Sequence, residues 1–329
     1  MEHLLEVKNL RTSFFTQNGE VKAVNEVSFQ VDKGEIVAVV GESGCGKSVT
    51  QMSVMQLVQS PPGKILGGEV LWNGRDLLQL SKKEMRKVRG SEIAMIFQEP
   101  MTSLNPVFKI GTQITEVIRT HTGCSRKEAW AIGTKALAEV GIPDPESRMH
   151  NYPFEMSGGM RQRVMIAIAV ACNSKLIIAD EPTTALDVTT QAQVMELLLS
   201  LVQKHGTSLI VVTHNLGLVT RYADRIYVMY AGKIVESGTT RDLLTNPRHP
   251  YTKGLLKSVP KLDAAKDVDL VPIQGAPPNL AKLDEKCAFL PRCTSACERC
   301  KELPAPELVT VGARAHCCAC HLERGGEEE

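Results

Sequence analysis

An α/β fold carrying a phosphate-cradling loop, with a small cysteine-rich lobe at its end, is predicted by three features of this 329-residue sequence. Gly41-Glu-Ser-Gly-Cys-Gly-Lys47-Ser48 fits the spacing G-x-x-x-x-G-K-S/T, between an apolar β-branched run (Glu35–Val40) and a run that reads as a helix (Ser48–Leu57). Further apolar runs at 93–97, 176–180 and 208–213 each lead into polar or acidic residues, with helical-period segments between them, as in a buried parallel sheet. Seven of the ten cysteines fall in the last 43 residues.

Bulk composition excludes several classes. Apolar residues make up 43% and charged residues 23%, as in ordinary globular chains, and the net charge of +1 gives no global pull toward nucleic acid. The longest apolar runs, such as Val164–Ala171, are far short of the ~18 residues of a membrane span. No basic-then-apolar leader is seen, so a cytoplasmic chain is expected, with any membrane role exerted through partners. The length suits one large domain or two.

Taken in order, residues 1–40 alternate apolar and polar in runs broken at Asn18-Gly19 and Lys33-Gly34, which predicts antiparallel strands and hairpins. Phe14 and Phe15 lie in this layer, where an aromatic either fills the core or stacks on a planar ring. In the loop that follows, glycines let successive N–H groups turn toward phosphates, Lys47 reaches the outer phosphates and the Ser48 hydroxyl ligates Mg²⁺. Gly67–Gly74 reads as a strand closing in a turn, and Ile93–Phe97 as a buried strand ending on Gln98-Glu99-Pro100. Across 109–150, Ile110, Ile114, Val117 and Ile118, then Ala129, Ile132, Ala136, Leu137 and Val140, recur at helical spacing and predict a packed helical insertion.

Ser157-Gly158-Gly159 precedes a helix expected to run to about Cys172; it is either a second anion site or simply a capped helix start. Leu176–Asp180 ends in two carboxylates. Asp180 is suited to holding Mg²⁺, usually through water, and Glu181 to orienting and deprotonating a water, although a solvated acid pair is the plainer alternative. His214 ends the run Ser208–Thr213, where ligands of a parallel sheet gather; a phosphate contact and a structural role are both open. Ile226–Tyr230 and Lys233–Glu236 predict a late hairpin around Ala231-Gly232. Pro247–Tyr251 marks a boundary, and 259–286, with Pro260, Pro272, Pro277 and Pro278, reads as an extended linker.

The loop, Gln98, Ser157-Gly158-Gly159-Met160-Arg161-Gln162, Asp180-Glu181, Ala185-Leu186-Asp187 and His214 occur in the order of the motif set of ABC-transporter ATPases, which residues 4–258 resemble. Phe97-Gln-Glu-Pro-Met-Thr-Ser-Leu-Asn-Pro106 and Arg248-His-Pro-Tyr-Thr-Lys-Gly254 are similar to the dipeptide/oligopeptide importer branch. The resemblance implies a P-loop NTPase with a RecA-like core, an antiparallel β subdomain and an inserted helical subdomain at about 100–162. Residues 1–258 would form the ATPase domain and 259–329 a metal-binding extension. It implies that Phe14 stacks on adenine, that Gly41, Ser43, Gly44, Cys45, Gly46, Lys47, Ser48 and Val49 cradle ATP, and that Ser48, Gln98 and Asp180 serve Mg²⁺. Glu181 would be the general base, with Gln98 sensing the attacking water and His214 contacting the γ-phosphate. Ser157, Gly158 and Gly159 would close over the nucleotide of a second ATPase subunit. Met156 and Asn215 stand where the family has leucine and aspartate. Neither change removes a catalytic group.

The resemblance also selects Cys287, Cys293, Cys300 and Cys320 for a [4Fe–4S] cluster, which four thiolates suit. Spacing alone offers a rival: Cys297-x2-Cys300 with Cys317-x2-Cys320, a zinc pattern. The cluster is the preferred reading.

The function expected is the ATPase subunit of a peptide importer, at the cytoplasmic face of a prokaryotic cell membrane. Its partners would be a second ATPase (an identical or sister chain), two permeases and an external solute-binding protein, with no nucleic acid. The alternative expectation is the same motor serving nickel, glutathione or another small solute. A soluble ABC protein of translation or repair would bring two ATPase domains or a coiled coil, and a simple phosphate-loop kinase would not account for Ser157-Gly158-Gly159 or Gln98.

Overall fold

The computed structural model describes residues 3–183, 186–258, 272–311 and 316–324, the side chains of Pro100, Met101, Val188 and Arg324 apart. Ala185, and residues 259–271 of the expected linker, lie outside the described residues. Packing divides the chain into one unit of residues 1–78 and 213–329 and a second of residues 79–212. As far as it is described, the segment read as an extension therefore belongs with the N-terminal strands.

The first unit contains two sheets. Leu5–Thr16 pairs antiparallel with Gly19–Val31 across a two-residue turn and, on its other side, with Gly63–Trp72. Asn73 and Gly74 both have positive φ (47° and 78°), the two-residue hairpin geometry that an Asn-Gly pair favours, and Trp72 pairs with Arg75 across it. In the other sheet Ile36–Val40, all five residues buried, lies parallel to Arg225–Tyr230. Arg225–Tyr230 turns through Ala231 and Gly232, again both at positive φ, into Lys233–Thr239. Two short tail strands complete this edge: Cys317–Cys318 pairs with Glu236 and Ser237, and Val309–Thr310 pairs with Cys317–Cys318.

The second unit holds three parallel strands in the order Ile93–Ile96, Leu176–Asp180, Ser208–Thr213. The helices Ile110–Thr122 and Arg126–Glu139 form an antiparallel pair. Ser125 and Glu128 start the second with a reciprocal capping box, and a Cβ on Gly133 would stand 2.8 Å from Ile114, so the pair packs closely. Ile110, Ile114, Ile118, Ala129, Leu137 and Val140 have no exposed surface. Two residues of the expected stripe do not join it: Val117 is half-buried and Ile132 is 38% exposed, because each lies at the margin of a stripe defined by its i±4 neighbours. The helix Gly158–Val170 follows Ser157 as expected, and a further long helix, Val188–His205, is capped by Asp187.

Candidate functional site

The first unit carries the phosphate loop. Gly46 adopts φ 104° as the N-cap of the helix Lys47–Val54, and an added Cβ there would stand 2.1 Å from the carbonyl oxygen of Ala23; at Gly41 it would stand 2.2 Å from that of Met229. Only glycine fits at either position. Gly44 has φ 78° with open space around it, and Ser43 beside it is exposed. Lys47 is 4% exposed, and its ammonium donates to the carbonyl oxygens of Gly41 (2.8 Å) and Glu42 (3.0 Å), so its charge is held across the loop. Ser48 and Val49 are half-buried on the first turn of the helix, and burial pushes the Cys45 thiol above its usual range. Phe14 is half-buried on the strand Leu5–Thr16, with its ring edge against Gly63. His214 is exposed, and after it Asn215 accepts a hydrogen bond from the Leu218 N–H (3.2 Å), capping the short helix Leu216–Val219.

The loop has one neighbour that motif reading missed. Arg292 clamps Glu42, with Nη1 2.6 Å from Oε2 and Nη2 2.9 Å from Oε1. The Glu42 N–H donates to the Tyr251 hydroxyl at 2.8 Å. No sequence signal pairs residues 250 positions apart when each alone resembles a surface charge.

The second unit carries the carboxylates. Asp180 and Glu181 are 5% and 8% exposed at the end of the strand Leu176–Asp180, so they are not a solvated pair. Gln98 donates its amide to Glu181 Oε2 at 2.9 Å. Glu181 has φ 44°, a left-handed conformation costly for a residue with a side chain and typical of functional positions. Ser157 caps the helix Gly158–Val170 by accepting from the Met160 N–H (3.3 Å); Ser157 and Gly158 are exposed and Gly159 half-buried, which leaves the start of the helix accessible. Arg161 Nε donates to the carbonyl oxygens of Pro153 (2.7 Å) and Met156 (3.0 Å), holding the approach to the helix, and Met156 fills a buried position.

In the first unit, Cys287, Cys293, Cys300 and Cys320 line one cavity with Pro250, Phe289, Leu290, Pro306 and Leu322. Burial pushes all four thiols up, Cys320 to about 11, with Cys287, Cys293 and Cys300 adding to the shift at Cys320. Cys297 lies 3.5 Å from Cys300, whereas Cys317 lies outside the cavity, 3.7 Å from the Thr310 hydroxyl. Among the described residues no three His, Cys, Asp or Glu side chains converge on a position for a single metal ion.

Comparison with known proteins finds two family models that match this chain, in chain order. Residues 24–184 match the model for ABC transporters, and residues 235–300 match that for the C-terminal region of oligopeptide/dipeptide transporters. The chain is 54% identical over 293 residues to the oligopeptide transport ATP-binding protein OppD of Bacillus subtilis, covering 89% of this chain and 82% of that protein. It is 49% identical to the oligopeptide transport ATP-binding protein AppD of the same organism over the whole of both chains. Against the dipeptide transport ATP-binding protein DppD, also of Bacillus subtilis, it is 48% identical over 98% of this chain and 96% of that one. Among solved structures, the dimeric ATP-binding cassette MJ0796 bound to ADP and Pi superposes with a TM-score of 0.64 at 28% identity, covering 72% of this chain and 99% of that one. CbiO1 of Clostridium perfringens shares the fold, with a TM-score of 0.63 at 24% identity over 75% of this chain and 92% of that one.

Proposed function

The chain belongs to the family of oligopeptide and dipeptide transport ATP-binding proteins of ABC transporters, and from that premise we propose that it powers the import of di- and oligopeptides by hydrolysing ATP. The observation that carries this is full-length identity near 50% to peptide-transport subunits, with the ATPase and the peptide-transporter C-terminal regions both present and in order.

Residue roles follow from the chemistry of each group. The glycine turn and the held Lys47 cradle the phosphates of ATP, and Phe14 offers a ring face to adenine. The Ser48 hydroxyl, the Asp180 carboxylate and the Gln98 amide oxygen are the hard oxygen donors that Mg²⁺ prefers. When bound, Mg²⁺ neutralises phosphate charge as the terminal phosphoryl group leaves. Glu181, oriented by Gln98, accepts the proton of the attacking water; His214 donates to the terminal phosphate. The accessible helix start at Ser157, Gly158 and Gly159 suits the nucleotide of a second ATPase subunit, and MJ0796, a cassette of the same fold, is dimeric with ADP and Pi.

No described helix is long and apolar enough to cross a membrane. The chain would act at the cytoplasmic face through two permease subunits, supplied with solute by an external binding protein. Cys287, Cys293, Cys300 and Cys320 would hold a [4Fe–4S] cluster that fixes the fold of the tail; the zinc set is less well supported because Cys317 lies outside the shared cavity.

Reconstitution with the permeases tests the function. Labelled dipeptides or oligopeptides should be taken up with ATP consumption that Glu181→Gln abolishes. Uptake of nickel or glutathione without peptide would overturn the cargo assignment and leave the motor in place.

A further inference from the structure

Glu42, the second residue of the phosphate loop, is held at its backbone N–H, its carbonyl and both carboxylate oxygens. Two of these grips come from far downstream. Tyr251, fully buried, takes the N–H, and Arg292, its side chain 5% exposed, takes the carboxylate in a two-pronged contact. Arg292 is itself fixed: Nε donates to the Gln274 carbonyl oxygen at 3.0 Å, and the guanidinium lies 5.9 Å from the Tyr230 ring centroid and 6.0 Å from that of Phe289. Tyr230, Tyr251 and Phe289 pack against one another at 4.6–5.4 Å between centroids.

Arg292 ends the short 3-10 turn Leu290–Arg292, and two of the cavity cysteines bracket that turn. The Leu290 N–H donates to the Cys287 carbonyl oxygen (2.9 Å), and the Cys293 N–H donates to that of Leu290 (3.2 Å). Whatever fixes Cys287 and Cys293 therefore fixes the guanidinium that holds Glu42. A glycine-rich loop loses much conformational freedom when it closes on phosphates, and a loop held beforehand loses less. The planar fork of arginine matches a carboxylate in a way lysine does not.

We infer that Arg292 is a positioning residue for nucleotide binding, through which the cysteine lobe sets the order of the phosphate loop. This rests on the reading of Gly41–Ser48 as the ATP loop. The test is equilibrium binding of mant-ATP to the full chain, with thermal melting recorded with and without nucleotide. Arg292→Ala and Glu42→Gln should each raise Kd about tenfold. Arg292→Lys should fall between wild type and Arg292→Ala, and exchanging the pair (Arg292→Glu with Glu42→Arg) should recover part of the affinity. Cys293→Ser should weaken binding when Arg292 is present and add nothing in the Arg292→Ala background. If Arg292→Ala does not fold, Glu42→Gln and Arg292→Lys decide.

Lowered melting temperatures with Kd within twofold of wild type would make the contact a mere staple of the tail and overturn the inference. Additive effects of Cys293→Ser and Arg292→Ala would overturn the link to the cysteine lobe. The control is Lys47→Ala: if it binds mant-ATP as wild type does, the ATP-loop reading itself falls, and this inference with it.

Discussion

The Gln98 side-chain amide donates to Glu181 Oε2 at 2.9 Å, tying the residue after one parallel strand to the acid at the tip of the next. This bond orients the carboxylate without needing its charge, since an amide oxygen at position 181 can accept the same N–H. Glu181→Gln should therefore retain nucleotide affinity and lose hydrolysis by ~10²–10⁴-fold, the usual contribution of a general base. Phosphate release measured beside mant-ATP binding checks it; near-normal turnover would remove Glu181 from the role.

Lys47→Ala should act on binding instead. Its ammonium spans the loop to two carbonyl oxygens, and hydrogen bonds to charged groups make large contributions. Affinity for ATP should fall about 10–100-fold, on the magnitude of charge-assisted hydrogen bonds, in an equilibrium titration.

Asn215→Asp should leave turnover nearly unchanged and Asn215→Ala should lower stability by ~1 kcal/mol, because Asn215 serves as a helix cap and Asn and Asp cap about equally well. Denaturant melts of the three proteins decide. A large loss of activity in Asn215→Asp would mean that the amide does more than cap.

The cysteine lobe separates its two metal readings by substitution. Cys287→Ser or Cys293→Ser should abolish the broad visible absorption and iron content of anaerobically purified protein, whereas Cys317→Ser should leave both. Colourless protein with stoichiometric zinc, lost on Cys317→Ser, would reverse the assignment.

His249 supplies a pH dependence. Burial pushes its imidazole down to about 4, with Lys253 adding to the shift, and the ring accepts the Tyr251 N–H (3.0 Å) as a neutral acceptor. The unfolded chain binds a proton here below about 6.5 while the folded one does not, so stability is complete above that pH and declines toward pH 4. The decline amounts to about 3 kcal/mol. His249→Asn, which keeps an acceptor, should flatten it in denaturation midpoints compared at pH 7.5 and pH 5.

Local chemistry made much of this legible in advance. Asn73-Gly74 specifies a hairpin through a backbone conformation that few other pairs adopt, Gly232 supplies one such position in the later hairpin, and the β-branched runs at 36–40, 176–180 and 208–213 are buried strands because their composition allows little else. The loop glycines were readable for the same reason. The helix Val188–His205 is less legible because it opens on Val188-Thr189-Thr190, β-branched residues of low helix propensity, although Asp187 with Thr190 is a capping signal. The clamp on Glu42 was invisible for a different reason: Arg292 sits in a proline-flanked turn, and only the folded chain brings it to the loop.

The two-residue strands of the tail have a last consequence. Lys233–Thr239 pairs with Arg225–Tyr230 on one side, and Cys317–Cys318 closes part of its other side, with Val309–Thr310 outermost. An unpaired strand edge is a template for pairing with a second molecule, and a very short outer strand offers little to extend. A chain cut before residue 309 would therefore leave the backbone of Glu236 and Ser237 unpaired, an edge open to a strand from a second molecule.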